Sequence, residues 1–282
     1  AVPLIIEKIV NKSVLPKLQK GVAKVMSQVP LLNQLVYAKV RKSMIEAFGG
    51  NLNEVVIGGA AINPDVEKFL RKVRFPYTVG YGMTECGPLI SYSYWTEFKE
   101  HSCGKVVDRM EVRIDSDDPH NTVGEIQVRG VNVMQGYYKN EEASKHTFTD
   151  DGWLKTGDLG VLDSEGYVYI RGRDKNMILG PSGQNIYPEE IEEKINALPY
   201  VSESLAIEEN KKIVALIVPD MDVMKEHGID SHQMEHLFGK LIGEINGKLP
   251  NYSKIASFRL RDEEFEKTPK RSIKRFKYQQ KS

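Results

Sequence analysis

The sequence predicts an α/β protein with a smaller α+β part behind it, divided between residues 1–172 and residues 173–282. Between residues 49 and 100, two apolar strands each end in a glycine-rich loop, and a helix separates them, which is typical of a parallel α/β sheet. Between residues 101 and 172, short strands alternate with turn residues, which predicts an antiparallel sheet or small barrel. The charged segment 171–176 predicts a linker to a separate α+β domain.

The composition is that of an ordinary globular protein, since 40% of the 282 residues are hydrophobic and 28% are charged. This excludes collagen-like, coiled-coil and wholly disordered chains. The 39 basic residues balance the 39 acidic ones, so the net charge does not favour a nucleic acid partner. Cys86 and Cys103 are too few for a disulfide scaffold, and no apolar run approaches the about 20 residues that a membrane span needs. We therefore expect a cytoplasmic protein.

Residues 1–48 are strongly basic, with eight Lys or Arg residues against two Glu residues. Apolar residues recur three and four positions apart, which predicts amphipathic helices that are broken near Pro16 and Pro30. The charge has three interpretations that the sequence leaves open. They are a solvated helix face, peripheral contact with the inner face of an anionic membrane, and a helical hairpin that exposes core surface. The last interpretation allows a homodimer.

The α/β stretch consists of a strand over 52–57, a helix over 64–73 and a second strand over 76–79. Each strand runs into a glycine loop, Gly58-Gly59-Ala60-Ala61 and then Gly80-Tyr81-Gly82-Met83-Thr84-Glu85. Glycines at strand ends let a ligand approach the backbone, where exposed N–H groups can hold a phosphate. The Thr84 hydroxyl suits a phosphate oxygen, the Glu85 carboxylate suits a divalent cation, and Tyr81 offers a stacking face. Ordinary tight turns explain the same glycines equally well.

The antiparallel stretch has predicted strands over 111–114, 124–129 and 166–171. Between the last two lies Lys155-Thr156-Gly157-Asp158, which we predict to be a loop. A loop aspartate can accept hydrogen bonds from both ribose hydroxyls, and Arg173 offers a forked donor for ribose or phosphate. A turn aspartate and a surface arginine are the alternatives.

The last stretch has predicted helices over 188–197 and 231–249, a hairpin of strands over 202–207 and 212–218, and a strand over 257–260. Seven basic residues and no acidic one follow Glu266, which predicts a solvated terminus or a site for an anionic ligand. No aromatic-interleaved motif supports nucleic acid binding. His232 and His236 lack a third ligand, so an exposed helix face is the better interpretation.

Taken in order, the motifs resemble the adenylate-forming acyl-CoA synthetase family. The resemblance covers nearly the whole chain and its start is similar to the long-chain fatty acid branch. The motifs that carry it are Gly58-Gly59-Ala60-Ala61, Tyr81-Gly82-Met83-Thr84-Glu85, Gly124-Glu125-Ile126 with Arg129-Gly130, Gly136-Tyr137-Tyr138, Thr156-Gly157-Asp158, Gly172-Arg173-x-Lys175-x-Met177-Ile178 and Gly183-x-Asn185-Ile186-Tyr187-Pro188-x-Glu190-Ile191.

The resemblance implies a partial large adenylation domain, with an α/β sheet remnant and a small antiparallel β-subdomain, followed by a small mobile α+β domain. It implies that a fatty acid and ATP form acyl-AMP, and that coenzyme A then displaces AMP. By motif match, the implied roles are phosphate contact for Thr84, Mg²⁺ binding for Glu85, adenine contact for Gly59, Ala60 and Tyr81, nucleotide contact for Gly82, ribose contact for Asp158 and Arg173, the hinge for Lys175, and coenzyme A contact for Gly183.

Two departures from the family pattern affect the expected activity. The Ser/Thr/Gly-rich phosphate loop of the family matches nothing in these residues, so we expect it upstream and expect the isolated chain to be inactive. The tail resembles Thr-Pro-x-Gly-Lys-Ile-x-Arg, but Ser272 holds the position of the lysine that orients the substrate carboxylate. We expect Lys270 or Lys274 to substitute, and the alternative is that adenylation is weak even in the full-length protein. A ligase of another carboxylate, or a non-catalytic adenylate-binding protein, is the alternative.

Overall fold

The computed structural model describes residues 3–18, 32–59, 62–180, 183–268 and 272–279. The chain divides into two compact units, residues 1–170 and residues 171–282. The domain bounds 1–172 and 173–282 stay a prediction.

The first unit begins with helices. Helix α1 is Pro3–Lys8, a π-helical segment covers Ile9–Val14, and α2 is Leu15–Leu18. The break predicted near Pro16 coincides with the change from the π-helical segment to α2, and the proline lies in the first turn of α2, where a missing N–H group is tolerated. Helix α3 is Leu32–Ala47, and the break predicted near Pro30 lies outside the described residues.

The predicted α/β unit is confirmed. Strand β1 (Val55–Ile57) pairs in parallel with β2 (Tyr77–Val79), and helix α4 (Pro64–Lys72) connects them. Asn63 caps this helix, because its side chain accepts hydrogen bonds from the backbone N–H groups of the first turn. Since Ile57 lies opposite Val79, the two glycine loops leave the sheet at the same edge.

The rest of the first unit is antiparallel. One sheet contains the short strands β3 (Tyr81–Gly82), β4 (Leu89–Tyr92) and β5 (Lys105–Val106). A second sheet has four strands in sequence order, so the sheet and not the barrel is formed. Its elements are β6 (Met110–Asp115), β7 (Gly124–Gly130), helix α5 (Glu141–Thr147), β8 (Leu154–Leu162) and β9 (Val168–Arg173). The sequence patterns missed the short strands β3, β4 and β5 as well as α5 and β8.

The second unit is the predicted α+β arrangement. A small hairpin of β10 (Ile178–Leu179) and β11 (Asn185–Ile186) precedes helix α6 (Pro188–Asn196). The main sheet pairs β12 antiparallel and β14 parallel to the central β13, and α7 and α8 lie between β13 and β14 in the chain. Its elements are β12 (Val201–Glu209), β13 (Lys212–Pro219), α7 (Met221–Glu226), α8 (Ser231–Asn246) and β14 (Ile255–Leu260).

The basic tail is packed, so its interpretation as a solvated terminus is wrong for the described part. Ile273 and Tyr278 pack on a cluster that includes Phe265. Acidic partners inside the second unit pair with the basic side chains: Lys267 with Glu203 and Glu264, Lys274 and Lys277 with Glu266, and Arg275 with Glu192. Local charge counting could not find Glu203 and Glu192, because they lie more than 60 positions before their partners, and it did not pair the nearby Glu264 and Glu266 with the tail.

Membrane-spanning helices and metal-ligand clusters were searched for among the described residues. None of the helices found there has the length and apolar character that crossing a bilayer requires. His232 and His236 are exposed on α8, and the described residues include no cluster of three His, Cys, Asp or Glu side chains suited to a metal ion.

Candidate functional site

The two glycine loops of the first unit touch each other. The Gly80 N–H group donates to the Ile57 carbonyl over 2.9 Å. A β-carbon on Gly58 would lie 3.2 Å from the Gly80 carbonyl oxygen, so the backbones are in close contact. Gly59 has φ of +90°, a conformation that glycine adopts readily. Ala60, its predicted partner at adenine, lies outside the described residues.

Gly82 is required by the backbone that faces it. A β-carbon at this position would lie 2.1 Å from the carbonyl oxygen of Pro88. The same carbonyl accepts a 2.8 Å hydrogen bond from the Met83 N–H group. This contact closes the β3–β4 connection around a 3₁₀ turn at Thr84–Cys86, where Thr84 is exposed and Glu85 is half-buried.

The segment after β7 holds this turn from the other side. The Met134 N–H group donates to the Glu85 carbonyl over 2.8 Å, and Asn132 Nδ2 donates to the Cys86 carbonyl over 2.6 Å. The Tyr137 hydroxyl donates to Glu85 Oε1 over 2.9 Å, and this bond raises the pKa of Tyr137. Tyr137 belongs to the motif Gly136-Tyr137-Tyr138 that carries the resemblance. The sequence nevertheless could not predict these contacts, because no local pattern indicates which carboxylate the tyrosine hydroxyl contacts.

Asp158 lies in a strand, so the predicted loop is wrong. In the β7–β8 ladder, Glu125 pairs with Leu159 and Gln127 pairs with Lys155. Residues 156–158 therefore lie opposite the single residue Ile126 as a bulge, with Gly157 at φ of +70°. A bulge inserts turn-like residues into a strand, which explains why the sequence pattern resembled a loop.

The bulge brings two predicted site residues into contact. The Tyr81 hydroxyl donates to Asp158 Oδ2 over 2.7 Å, although the residues are 77 positions apart. The Asp158 N–H group donates to Thr156 Oγ1, whose hydroxyl donates to the Ile126 carbonyl. Both Tyr81 and Asp158 are buried, at 7% and 4% exposure, so packing and hydrogen bonds fix the carboxylate.

The donor groups at the turn fit a Mg²⁺ ion that arrives with a nucleotide. Mg²⁺ binds one or two carboxylates and completes its octahedron with water and substrate phosphates. The half-buried Glu85 carboxylate and the exposed Thr84 hydroxyl are hard oxygen groups side by side in the chain. They suit a cation shared with phosphate and not a cage built from protein ligands.

The second unit holds the other predicted residues. Arg173 ends β9, Lys175 lies in a 3₁₀ turn at Asp174–Asn176, and both are exposed. Gly183 is exposed in the β10–β11 connection with φ of +82°. The turn is attached to α6, because Asn176 Nδ2 donates to Glu189 Oε1 over 2.6 Å.

Ser272 stands in the tail where the family pattern has a lysine, and the two lysines expected to replace it lie on either side. Ser272 is exposed, and its carbonyl accepts a 2.8 Å hydrogen bond from the Thr268 N–H group. Lys274 forms an ion pair with Glu266. Lys270, the other predicted substitute, lies outside the described residues.

A cationic cleft in the second unit was not predicted. It has a volume of about 210 Å³ and lies beside the β10–β11 hairpin, the β12–β13 turn and the 3₁₀ turn at Asn251–Ser253. Lys211, Lys212 and Lys254 line it together with one acidic residue, Glu208, and the exposed ring of Tyr252. Three ammonium groups beside an aromatic ring suit a phosphorylated ligand with a planar base. Lys211 and Lys212 are neighbours in sequence, but Lys254 lies more than 40 positions later, so no local motif joins the three.

Two profiles of one family match most of the chain. The profile described as AMP-binding enzyme matches residues 1–138. The profile described as AMP-binding enzyme C-terminal domain matches residues 175–281.

Curated relatives include ligases for two kinds of carboxylate. The long-chain-fatty-acid–CoA ligase FadD15 of Mycobacterium bovis is 34% identical over 188 residues, covering 67% of this chain and 30% of the ligase. The 2-succinylbenzoate–CoA ligase of Bacillus velezensis is 42% identical over 155 residues, covering 52% of this chain and 31% of the ligase. The chain thus spans about 30% of the length of these relatives, and the long-chain branch is not singled out.

Solved structures give the same family. O-succinylbenzoate coenzyme A synthetase (MenE) from Bacillus subtilis in complex with AMP has a TM-score of 0.68 and 28% identity, covering 83% of this chain and 49% of that one. The same enzyme in complex with ATP and magnesium ion has a TM-score of 0.64 and 27% identity. Because both AMP-binding enzyme profiles match this chain and its fold resembles these solved structures, the chain belongs to the AMP-binding enzyme family.

Proposed function

We propose that this chain works within an ATP-dependent acid–CoA ligase and contributes its nucleotide pocket and its mobile domain. The observation that carries the proposal is the 2.7 Å hydrogen bond from Tyr81 to Asp158. It joins two motifs that the resemblance assigns to one nucleotide, and it places them beside the glycine turn that presents Thr84 and Glu85.

In the proposed reaction, a carboxylate oxygen of the acid attacks the α-phosphorus of ATP, and the bond to pyrophosphate breaks. The thiol sulfur of coenzyme A then attacks the acyl carbon, and AMP leaves. Neither step needs a protein nucleophile, so catalysis depends on positioning and charge stabilisation. Tyr81 orients the Asp158 carboxylate toward the ribose hydroxyls, and Arg173 supplies a second contact. Gly59 lets the adenine approach the backbone, Ala60 completes that contact, and Gly82 supports the site by admitting the Pro88 carbonyl beside it.

The turn at Thr84–Cys86 serves the phosphates. Thr84 donates its hydroxyl to a phosphate oxygen, and Glu85 holds Mg²⁺. The bound ion would neutralise the charge that develops on the pyrophosphate leaving group. The protein contribution is to hold one carboxylate at a fixed place while leaving the other coordination positions to phosphate and water.

The second unit contributes the acceptor site. We propose that the cleft of Lys211, Lys212 and Lys254 binds the phosphates of coenzyme A, with Tyr252 against the adenine. The Gly183 turn, which belongs to the neighbouring β10–β11 hairpin, is the proposed contact for the pantetheine arm. Lys175 is the proposed pivot between the two steps, since its turn directly precedes this hairpin.

The lysine that adenylation requires is absent from its expected position, which Ser272 occupies. Lys274 is the proposed substitute among the described residues, with Lys270 as its rival in the tail. Lys274 must leave Glu266 to reach a carboxylate, since the two side chains form an ion pair. A neutral Ser272 hydroxyl cannot supply the positive charge that the step uses.

The substrate proposed first is a long-chain fatty acid. The start of the sequence and the similarity to long-chain-fatty-acid–CoA ligases support this choice. The 42% identity to a 2-succinylbenzoate–CoA ligase favours an aryl carboxylate as the second candidate. Both candidates use the same nucleotide chemistry.

The test is ATP–pyrophosphate exchange by the complete gene product, expressed from its native start codon. We expect Mg²⁺-dependent exchange with palmitate, and exchange with 2-succinylbenzoate alone would support the second candidate. The 282-residue chain alone is expected to show none, because it contains no match to the phosphate loop. Absence of exchange with every carboxylate in a broad panel, together with absence of AMP binding, would overturn the ligase proposal and favour a scaffold.

Two variants of the same protein divide the roles further. Ser272→Lys tests the tail: a large gain in exchange marks a decayed site, whereas no change supports substitution by a neighbouring lysine. Lys254→Gln tests the cleft and should raise the KM for coenzyme A more than the KM for dephospho-coenzyme A. Lys240→Gln is the matched control, because Lys240 is exposed on α8 and does not line the cleft.

A further inference from the structure

The Glu85 carboxylate extends from a very short element. The 3₁₀ turn that carries it has three residues, Thr84–Cys86, and Glu85 is half-buried. A single turn fixes a side chain poorly, because few neighbouring residues restrict its rotamers. A carboxylate that binds a cation shared with a phosphate must nevertheless keep one orientation.

Tyr137 supplies a contact to that carboxylate from a separate segment. Its hydroxyl donates to Glu85 Oε1 over 2.9 Å, from a position 52 residues later in the chain. The tyrosine is itself anchored at the start of α5, since its N–H group donates to Ser144 Oγ over 2.9 Å. Ser144 Oγ in turn donates to the Asn140 carbonyl over 2.7 Å. The carboxylate is thus tied to the helix through one phenol.

The same segment fixes the backbone of the turn. Met134 donates its N–H group to the Glu85 carbonyl, and Asn132 donates its amide to the carbonyls of Cys86 and Leu89, over 2.6 and 3.0 Å. Backbone and side chain of Glu85 are therefore held by one stretch of chain.

We infer that Tyr137 is a positioning residue, whose hydroxyl holds the Glu85 carboxylate in the orientation that binds Mg²⁺. The inference rests on the proposed function, because that function gives Glu85 its metal. A phenol suits the task better than a lysine or arginine would. It is a neutral donor, so it occupies one carboxylate oxygen and leaves both the second oxygen and the negative charge to the cation.

The first experiment needs no activity. Tyr137→Phe in the 282-residue chain removes one oxygen, and Tyr138→Phe is the matched control because Tyr138 is its neighbour and is 88% exposed. Amide hydrogen exchange is measured on the peptide over residues 83–87. We expect exchange about fivefold faster in Tyr137→Phe, the effect of one lost hydrogen bond, and no change in the control. Equal exchange in both variants would overturn the inference.

The second experiment uses the complete gene product. Tyr137→Phe is expected to raise about fivefold the Mg²⁺ concentration that gives half-maximal ATP–pyrophosphate exchange. The kcat of that reaction at saturating Mg²⁺ should stay within twofold of wild type. A lower kcat without a shift in the Mg²⁺ dependence would show a merely structural contact and overturn the positioning role. If wild type shows no Mg²⁺-dependent exchange, the proposed function fails and the metal role fails with it. The amide exchange result then still decides whether Tyr137 orders Glu85.

Discussion

Removal of Arg275 is the sharpest test of how the tail is held in the second unit. Its guanidinium donates to both carboxylate oxygens of Glu192, over 2.8 and 2.7 Å, from 83 positions away in sequence. Nη1 also donates to the Ala206 carbonyl over 3.0 Å, and the Ala206 N–H group donates to Glu192 Oε1 over 2.6 Å. The two side chains are only 12% and 11% exposed, so water cannot replace these partners.

The magnitude follows from what Arg275→Met leaves behind. A buried carboxylate that loses its only compensating charge costs about 3–5 kcal/mol, whereas replacing both charges by apolar groups costs little. We therefore expect Arg275→Met to lower the free energy of unfolding at pH 8 by about 3 kcal/mol or more. The double variant Arg275→Met with Glu192→Leu should lower it much less. The control is Arg259→Met, which breaks an exposed pair with Glu209 and should cost less than about 1 kcal/mol.

The loss should depend on pH with a definite sign. Burial raises the pKa of Glu192 to about 7, and Arg275 opposes this rise, so its removal raises the pKa further. The folded variant then holds a proton that the unfolded carboxyl, with an ordinary pKa of 4.5, has lost. Its unfolding free energy must fall as pH rises from about 4.5 through neutrality. The gap to wild type should therefore widen between pH 5 and pH 8.

The assay is urea unfolding of the 282-residue chain, followed by far-ultraviolet circular dichroism at pH 5, 6, 7 and 8. Tryptophan fluorescence is the internal control, because Trp95 and Trp153 are the only tryptophans and both belong to the first unit. A gap that stays below 1 kcal/mol, or that does not change with pH, would refute the buried-pair reasoning.

Two further predictions concern the first unit and one helix of the second. Gly82→Ala should lower the free energy of unfolding by about 2–3 kcal/mol, because the new β-carbon would meet the Pro88 carbonyl at 2.1 Å. Gly243→Ala at an exposed position of α8 is the control, and it should leave the free energy of unfolding unchanged or raise it by about 0.5–1 kcal/mol. Thermal unfolding of the two variants measures the difference. Burial raises the pKa of Cys86 to about 11 and of Cys103 to about 12. Both thiols should therefore react with a disulfide reagent at pH 8 about 100-fold more slowly in the native chain than in guanidinium. Fast labelling of either native thiol contradicts the packing described.

Elements with a strong local period could be predicted from the sequence. The β12–β13 hairpin was expected because two apolar runs flank a polar turn, and Asn210 and Lys211 indeed both take positive φ there. The adjacency of the two glycine loops followed from the strand–helix–strand order. The bulge around Asp158 could not be predicted, because a strand interrupted by Thr-Gly-Asp has the composition of a turn.

Contacts between distant segments are the part that the sequence hides. Nothing near Arg275 indicates that its partner is Glu192, and nothing near Tyr137 indicates Glu85. Charge counting in the tail therefore predicted a surface where the fold makes a buried pair. The cationic cleft is hidden for the same reason, since Lys211 and Lys254 become neighbours only when β14 pairs beside β13.

Two tyrosine–carboxylate contacts at the candidate site have a common electrostatic consequence. Tyr81 orients Asp158, and Tyr137 orients Glu85, in each case by a neutral donor that leaves the negative charge in place. A nucleotide triphosphate would meet two carboxylates and, from these four side chains, no positive charge. In the proposed reaction, attraction would therefore come from Mg²⁺ at Glu85 and from basic groups other than these four side chains. The departure at Ser272 therefore bears on the adenylation step and not on recognition of the nucleoside.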